Sequence, residues 1–363
     1  MRSVFVLCLM LVGYCSAQGQ NPTRPQRNYP APVEGDYVIQ NFRFRSGESL
    51  PELKIHYRTI GALKTDSKGV AQNAVLIGHG TGGAGTSLLN PTFANVLFGP
   101  GQLLDATKYF IILPDGIGHG NSSKPSDGLH ARFPHYTYDD MVAGLYEVMT
   151  KKLGVNHLRL VMGTSMGGMQ TWVWGETYPD FMDALMPLAS NPVEIAGRNR
   201  IWRFMAIDAI KSDPDWMGGE YKIQPMRALT TAEDLLLLAG SAPLNWQAVA
   251  PTREAAEKFY LDRFRPAVAR LDANDLLYQI DSSREYNPAP KLETIKAPLI
   301  AVNSADDFIN PPELGMIEKE IKRVKRGKFV LLPITDKTRG HGTHTIATIW
   351  QEYLEELLEE SRH

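Results

Sequence analysis

The chain has 363 residues, of which 43% are hydrophobic and 21% charged, with a formal net charge of −2. That length suits one large α/β domain with an insertion, and that composition suits an ordinary soluble globular protein. The near-neutral balance carries no electrostatic footprint for nucleic acid or an anionic membrane. The basic cluster Lys322-Arg323-Val324-Lys325-Arg326 reads as a solvated helix end.

Arg2 precedes an apolar run from Val4 to Val12, and Cys15-Ser16-Ala17 follows it. A charged start, a short apolar stretch and a small-residue site read as a secretion signal over 1–17, cleaved after Ala17. The run is too short to span a bilayer as a helix, so no stable membrane insertion is expected. A lipoprotein anchored at Cys15 is disfavoured because Tyr14 is bulky where a small residue is wanted. Both cysteines, Cys8 and Cys15, fall inside the signal. The mature chain is therefore expected to have no disulfide and no thiolate nucleophile or metal site, and to be secreted or periplasmic.

Residues 18–35 are rich in Pro, Gln, Asn and Arg and read as a flexible leader. Strands are expected near Tyr37–Arg45 and Leu53–Thr59. The period-two alternation from Leu53 to Arg58 suggests a half-exposed antiparallel edge. Continuous apolar runs then read as buried parallel strands: Ala74–Ile77, Tyr109–Leu113, Leu158–Met162, Ala184–Leu188, Leu299–Val302 and Phe329–Leu332. Amphipathic helical stretches such as Thr137–Leu153 and Met166–Tyr178 lie between them. Strands alternating with helices predict a mostly parallel sheet covered on both faces. Residues 191–290 break the rhythm. They carry no strand run, only helical patterns with Trp202, Trp216 and Trp246, and read as a helical cap inserted into a core of 36–190 and 291–363.

The chemistry is concentrated where Leu158-Arg159-Leu160-Val161-Met162 runs into Gly163-Thr164-Ser165-Met166-Gly167-Gly168 and a helix. A serine on a sharp strand-to-helix turn has its hydroxyl held above the sheet, and small residues two positions either side leave room for the neighbouring elements. The helix start adds its dipole and free amides. Ser165 is therefore the expected nucleophile. A serine hydroxyl needs a base, and a late histidine fits. His341 lies between two glycines, and His344 is its rival, expected in the first turn of the C-terminal helix. His79 and His119, on loops at strand ends, are expected to line the site. The orienting acid should follow Leu299–Val302. Asp307, four residues before Pro311, is preferred over Asp306. Gly78-His79-Gly80-Thr81-Gly82-Gly83 lacks the Lys-Ser/Thr ending of a phosphate loop and the dinucleotide spacing. Asp115–Pro125 reads as a tight structural loop shaping the pocket wall. Nothing points to a cofactor or a metal.

A strand, GxSxG turn and helix in this order resemble the α/β-hydrolase fold, an eight-stranded, mostly parallel sheet with a helical cap. From about Asn73 to the C-terminus the chain further resembles the homoserine O-acetyltransferase branch of that superfamily. The resemblance rests on Gly167-Gly168-Met169-Gln170, Asp140-Met141-Val142 and Ser212-Asp213-Pro214-Asp215-Trp216-Met217-Gly218-Gly219-Glu220-Tyr221. It implies a triad of Ser165, Asp307 and His341, oxyanion amides from Thr81 and Met166, and a homodimer built through the cap. The chain departs from the acetyltransferases where they have substrate arginines: Asp139 and Ile207 stand there. Arg198, Arg200 and Arg203 lie near in a different register. Loss of a bidentate carboxylate partner is not conservative, and a secreted chain is removed from cytoplasmic acetyl-CoA. The expectation is a serine hydrolase acting on a small-molecule ester. An O-acetyltransferase of the homoserine type and a non-catalytic binding protein on a hydrolase scaffold are the alternatives.

Overall fold

The computed structural model describes residues 26–362. The expected secretion signal and both cysteines lie outside the described residues. One eight-stranded sheet runs in the order β1-β2-β4-β3-β5-β6-β7-β8. β1 (Val33–Arg43) and β2 (Ser49–Ile60) form an antiparallel hairpin, and β2 joins β4 (Phe110–Pro114) antiparallel. The other strands pair in parallel: β3 (Ala74–Gly78), β5 (Leu160–Thr164), β6 (Leu185–Leu188), β7 (Leu299–Ser304) and β8 (Gly327–Leu332).

Alternation along each buried strand feeds two cores. Ala74 and Leu76 of β3 and Ala301 of β7 face one core, with Met141, Trp172 and Trp174. Val75, Ile77, Ile300 and Val302 face the other, with Leu97, Trp350 and Leu354. The short α1 (Ala94–Leu97) and the C-terminal helix thus cover one face. α2 (Tyr138–Glu147) and α3 (Met166–Thr177) cover the other. Apolar residues on both sides of a strand are what a parallel sheet clothed in helices requires. α2 opens on a reciprocal cap: Asp140 N donates to Thr137 Oγ1, and Asp140 Oδ2 accepts from Thr137 N at 2.8 Å. It closes in a π-turn over Val148–Lys152.

Three local expectations are corrected. The half-exposed edge expected at Leu53–Arg58 is not an edge. β1 takes that place, and β2 is buried from Ile55 to Ile60. Its polar members are buried through partners: His56 Nδ1 lies 2.7 Å from Asp36, and Arg58 pairs with Glu34 and Asp115, each at 2.8 Å. α3 is not amphipathic, because every residue from Met166 to Gly175 is buried. The expected leader over 18–35 is anchored in its described part. Tyr29 is buried, Asn28 Nδ2 donates to the Asn95 carbonyl at 2.9 Å, and β1 already begins at Val33.

Between β6 and β7 the chain is helical, with α4 (Gly197–Ser212), α5 (Met226–Ala239), α6 (Pro243–Val249), α7 (Arg253–Phe259) and α8 (Ala273–Asp281). Trp216 Nε1 donates to Asn274 Oδ1 at 2.9 Å, and Asn274 Nδ2 donates to the Gly219 carbonyl at 2.8 Å. The Asp213–Tyr221 segment is tied to the start of α8 in this way. After β7 come α9 (Met316–Glu320), β8 and α10 (Gln351–Glu360). No helix among the described residues is long and apolar enough to cross a membrane.

Candidate active site

β5 ends at Thr164 and α3 begins at Met166, so Ser165 alone makes the turn. Its backbone sits at φ 55° and ψ −111°, a region non-glycine residues rarely occupy. Such a conformation costs on the order of 1–3 kcal/mol and persists where surrounding contacts over-determine it. Those contacts are glycine backbones. A Cβ on Gly163 would lie 2.3 Å from the Gly167 carbonyl, and one on Gly167 would lie 2.2 Å from the Gly78 carbonyl oxygen. Hydrogen bonds fix the same approach. Gly167 N donates to the His79 carbonyl, and Ser165 N to the Leu188 carbonyl, both at 2.9 Å.

Ser165 Oγ lies 2.7 Å from His341 Nε2, and His341 Nδ1 lies 2.9 Å from Asp307 Oδ2. An ionised Asp307 can only accept, so Nδ1 carries the ring proton and Nε2 is free to accept from the serine hydroxyl. Burial opposes the charge on Asp307. The facing His341 and the donated bonds from Asn310 outweigh it and hold the carboxyl below its ordinary range. The backbone amides of Ile309 and Asn310 donate to Oδ1 at 2.8 and 3.1 Å.

The two rivals have other tasks. Asp306 Oδ2 accepts from the Gly340 amide at 3.0 Å and Oδ1 accepts from Ser304 Oγ. It therefore holds the loop that carries His341 and does not touch the ring. Gly340 takes φ 59°, and a Cβ there would lie 2.6 Å from the Ser241 carbonyl oxygen, so the residue before His341 is confined to glycine. His344 does not open the C-terminal helix. It lies in a 3₁₀ turn over Gly342–Thr345, well before α10. It stacks edge-on against His341 with centroids 5.2 Å apart. Burial, then the neighbouring His341, push its pKa down to about 3.

The loop after β3 brings Gly80 within 3.4 Å of Ser165 Cβ, measured from where a Gly80 Cβ would stand. Thr81 follows and lines a cavity of about 340 Å³ together with Ser165 and His341. Met166 is the first residue of α3, so its amide has no acceptor within the helix. His79 and His119 do not line that cavity, contrary to expectation. They brace the loop from behind. His79 Nδ1 donates to the Gly80 carbonyl at 2.8 Å while Nε2 accepts from Gly116 N at 3.0 Å, and His119 packs edge-on at 5.0 Å. Asp115 does most to hold the loop. Fully buried, it accepts from Arg58 and from the Gly85 amide at 2.8 Å, and from Asn121 N at 2.9 Å.

The departures from the acetyltransferases are also placed. Asp139 pairs with Arg45 and lines a separate cavity of about 870 Å³ that includes Glu176 and Lys211 but none of Ser165, His341 and Asp307. Ile207 is buried in the apolar core. Arg198 donates to the Phe308 carbonyl at 2.7 Å, and Arg200 lies 3.6 Å from Asp281. Of the three arginines, Arg203 lines the cavity at Ser165, beside Trp202 and Glu233. Trp202 and Glu233 had no sequence signal as site residues, because only the packing of α4 and α5 brings them to the cavity.

Residues 73–330 match the α/β hydrolase fold family. A probable acyltransferase of Methanothermobacter thermautotrophicus is 31% identical over 84% of this chain and 91% of its own length. A homoserine O-acetyltransferase of Pelobacter propionicus is 30% identical over 84% of this chain and 90% of its own. Among solved structures, an acetylester hydrolase from Corynebacterium glutamicum superposes with TM-score 0.79 at 22% identity, covering 90% of this chain and 96% of that one. A homoserine O-acetyltransferase from Bacillus anthracis superposes with TM-score 0.78 at 20% identity, covering 92% and 98%. The chain belongs to the α/β-hydrolase fold family, in its homoserine O-acetyltransferase-like branch.

The buried imidazoles set a pH dependence of stability. His119 and His344 are each held down to about 3, and His79 is lowered as well, with burial the largest cause for all three. In the unfolded chain they titrate near 6.5 and take up protons that the fold refuses. Their contribution is then full above pH 6.5 and falls as pH drops below it, by about 1.4 kcal/mol per pH unit for each of His119 and His344. Glu176 and Asp275, pushed up by burial to about 7 and about 6, bind protons in the folded state over the same interval and oppose this loss. The share of a ring is therefore read by comparison: between pH 7 and 5.5 the urea midpoint is expected to fall more in the wild type than in His119→Asn, and an equal change in the two contradicts the burial of His119 as a neutral group.

Proposed function

We propose that this protein is a serine esterase that hydrolyses a small-molecule ester through an acyl-enzyme. The observation that carries the reading is the unbroken chain from Asp307 through His341 to Ser165 Oγ, with bonds of 2.9 and 2.7 Å, opening on a cavity. Oγ attacks the ester carbonyl while His341 Nε2 takes its proton. Asp307 keeps the ring in the required tautomer and stabilises the imidazolium. The negative charge that develops on the carbonyl oxygen falls to the amides of Thr81 and Met166. Collapse breaks the ester C–O bond, and the departing alcohol leaves with the proton from Nε2. Water then gives a proton to the same nitrogen, attacks the acyl carbonyl, and frees the acid and Ser165. The helical segment over 191–290 serves as the cap that closes the cavity.

Relatives of both kinds, esterases and acetyltransferases, support a shared acyl-enzyme. Water is the acceptor we favour, because Asp139 and Ile207 stand where the transferases resemble one another in arginine. The N-terminal segment, read as a secretion signal, supports the same choice by separating the chain from acetyl-CoA. The exposed apolar residues Ile201, Phe204 and Met205 on α4 support a homodimer through the cap. Light scattering on the purified protein is expected to give twice the chain mass, and a monomer at micromolar concentration overturns that part.

Ser165→Ala is expected to abolish labelling by a fluorophosphonate probe. Asp307→Asn should lower ester hydrolysis by roughly 10³–10⁴-fold, by analogy with the loss of the orienting acid in serine proteases, while Asp306→Asn costs far less. Equal losses in the two variants would reject Asp307 as the orienting acid. A folded wild type that the probe does not label would leave the binding-protein alternative standing. Hydrolysis and transfer are separated by following an acetyl ester with and without homoserine. Hydrolysis far slower than transfer would make the protein an acetyltransferase.

A further inference from the structure

His344 follows His341 in the turn over Gly342–Thr345. That turn is held from behind. The indole N–H of the buried Trp350 donates to the His344 carbonyl at 3.1 Å, and Thr345 Oγ1 donates to the Gly342 carbonyl at 2.8 Å. The His344 ring meets His341 edge-on, with centroids 5.2 Å apart and planes at 79°. Together with Ser165, His341 and Thr81 it lines the reaction cavity. No step of the triad mechanism uses it.

The two nitrogens of this ring differ. Nδ1 is buried and meets no hydrogen-bond partner. The ring as a whole is only partly covered, and Nε2 is the nitrogen that keeps accessible surface. A neutral imidazole has one N–H and one lone pair. A buried N–H without an acceptor is the rarer defect in native structures, so Nδ1 keeps the lone pair and the proton lies on Nε2. Burial and the neighbouring His341, which hold the pKa down to about 3, keep the ring neutral while His341 takes up the serine proton. His344 thus offers the cavity an N–H that stays in place through the reaction.

Distance decides what that N–H can reach. An oxygen hydrogen-bonded to His341 Nε2 stands about 4 Å from that ring's centre, and a bond from His344 Nε2 sets it about 4 Å from the second centre. Rings 5.2 Å apart can share one oxygen on those terms. In serine catalysis the oxygen that exchanges a proton with the base is first that of the leaving group and then that of water.

We propose that His344 is a catalytic residue that donates its Nε2–H to the oxygen of the departing alcohol. The inference rests on the esterase reading and adds a residue and a substrate preference to it. As the ester C–O bond breaks, its electron pair passes to the alcohol oxygen, which takes the proton from His341 Nε2. His344 keeps its own proton and supplies a second hydrogen bond to the charge that develops there. The water that follows enters at the same place. Esters of unactivated alcohols gain most, since their oxygen carries the most charge in the transition state.

The test compares benzyl acetate with 4-nitrophenyl acetate, similar in size but with a poor and a good leaving group. The readout is kcat/KM, which reports acylation. His344→Phe keeps the aromatic contact with His341 and removes the donor. It is expected to lower the benzyl-to-nitrophenyl ratio by roughly 10- to 100-fold, the range for a lost bond to a developing charge. His344→Gln and His344→Met match each other in length and differ in the donor. Gln is expected to hold the ratio within about threefold of wild type, and Met to lose it as Phe does. This pair keeps the inference testable should His344→Phe fail to fold. Labelling by a fluorophosphonate needs His341 as base but expels fluoride, so its rate should fall far less than benzyl acetate turnover. If both esters and the labelling fall together in His344→Phe, the ring only packs against His341 and the inference is overturned. A ratio unchanged in the Phe and Met variants also overturns it and leaves the esterase reading intact. Wild type that cleaves neither ester removes the esterase reading and this inference with it.

Discussion

The first turn of α3 touches β3 and β5 backbone to backbone, and the geometry of the site follows from that contact. With no side chains at Gly78, Gly163 and Gly167, the helix start is drawn against the strand ends, closer than any Cβ would allow. Ser165 then has one residue in which to reverse from strand to helix, which forces its positive φ. The same contact pins His79 O to Gly167 N, so the loop carrying Gly80 and Thr81 is registered against the serine. A side chain at any of these glycines would separate nucleophile and loop together.

Two adjacent carboxylates divide the work of presenting His341. Asp307 reaches the ring, and its own orientation is set by the amides of Ile309 and Asn310. Asp306 turns the other way and holds the Gly340 amide at the base of the histidine loop. Both lie in the turn that follows β7, where Asp307 meets the imidazole and Asp306 the support of the histidine loop. Behind the opposite wall, Asp115 joins Arg58 of β2 to the Gly85 amide. This buried pair ties the antiparallel hairpin to the loop beside the nucleophile, which explains why the polar positions of β2 are buried.

Above the strand ends, the character of the cavity is set by the helices between β6 and β7. The Ser165–His341–Asp307 geometry lies at the sheet, where hydrogen bonds fix each side chain. Trp202 and Arg203 of α4 line the cavity above it.

The parallel strands β3 to β7 were legible in the sequence, because each is a run apolar on both faces, whereas Phe329–Leu332, read as buried, is the edge strand β8 and largely uncovered. The strand–turn–helix at Ser165 was legible from the glycines around it, and His341 and Asp307 were singled out, each with a rival one or three residues away. Local pattern misplaced β2 as an edge and α3 as amphipathic, since periodicity reports polarity and not what covers it. Tertiary structure shows Asp307 rather than Asp306 within reach of His341, and His341 rather than His344 within reach of Ser165, because only the fold shows which side chains meet. It also moved His79 and His119 from the cavity wall to the support behind it, and left Arg203 desolvated beside the serine with no anion of its own. Charge and desolvation depend on neighbours brought together from distant parts of the chain, and no local spacing encodes them.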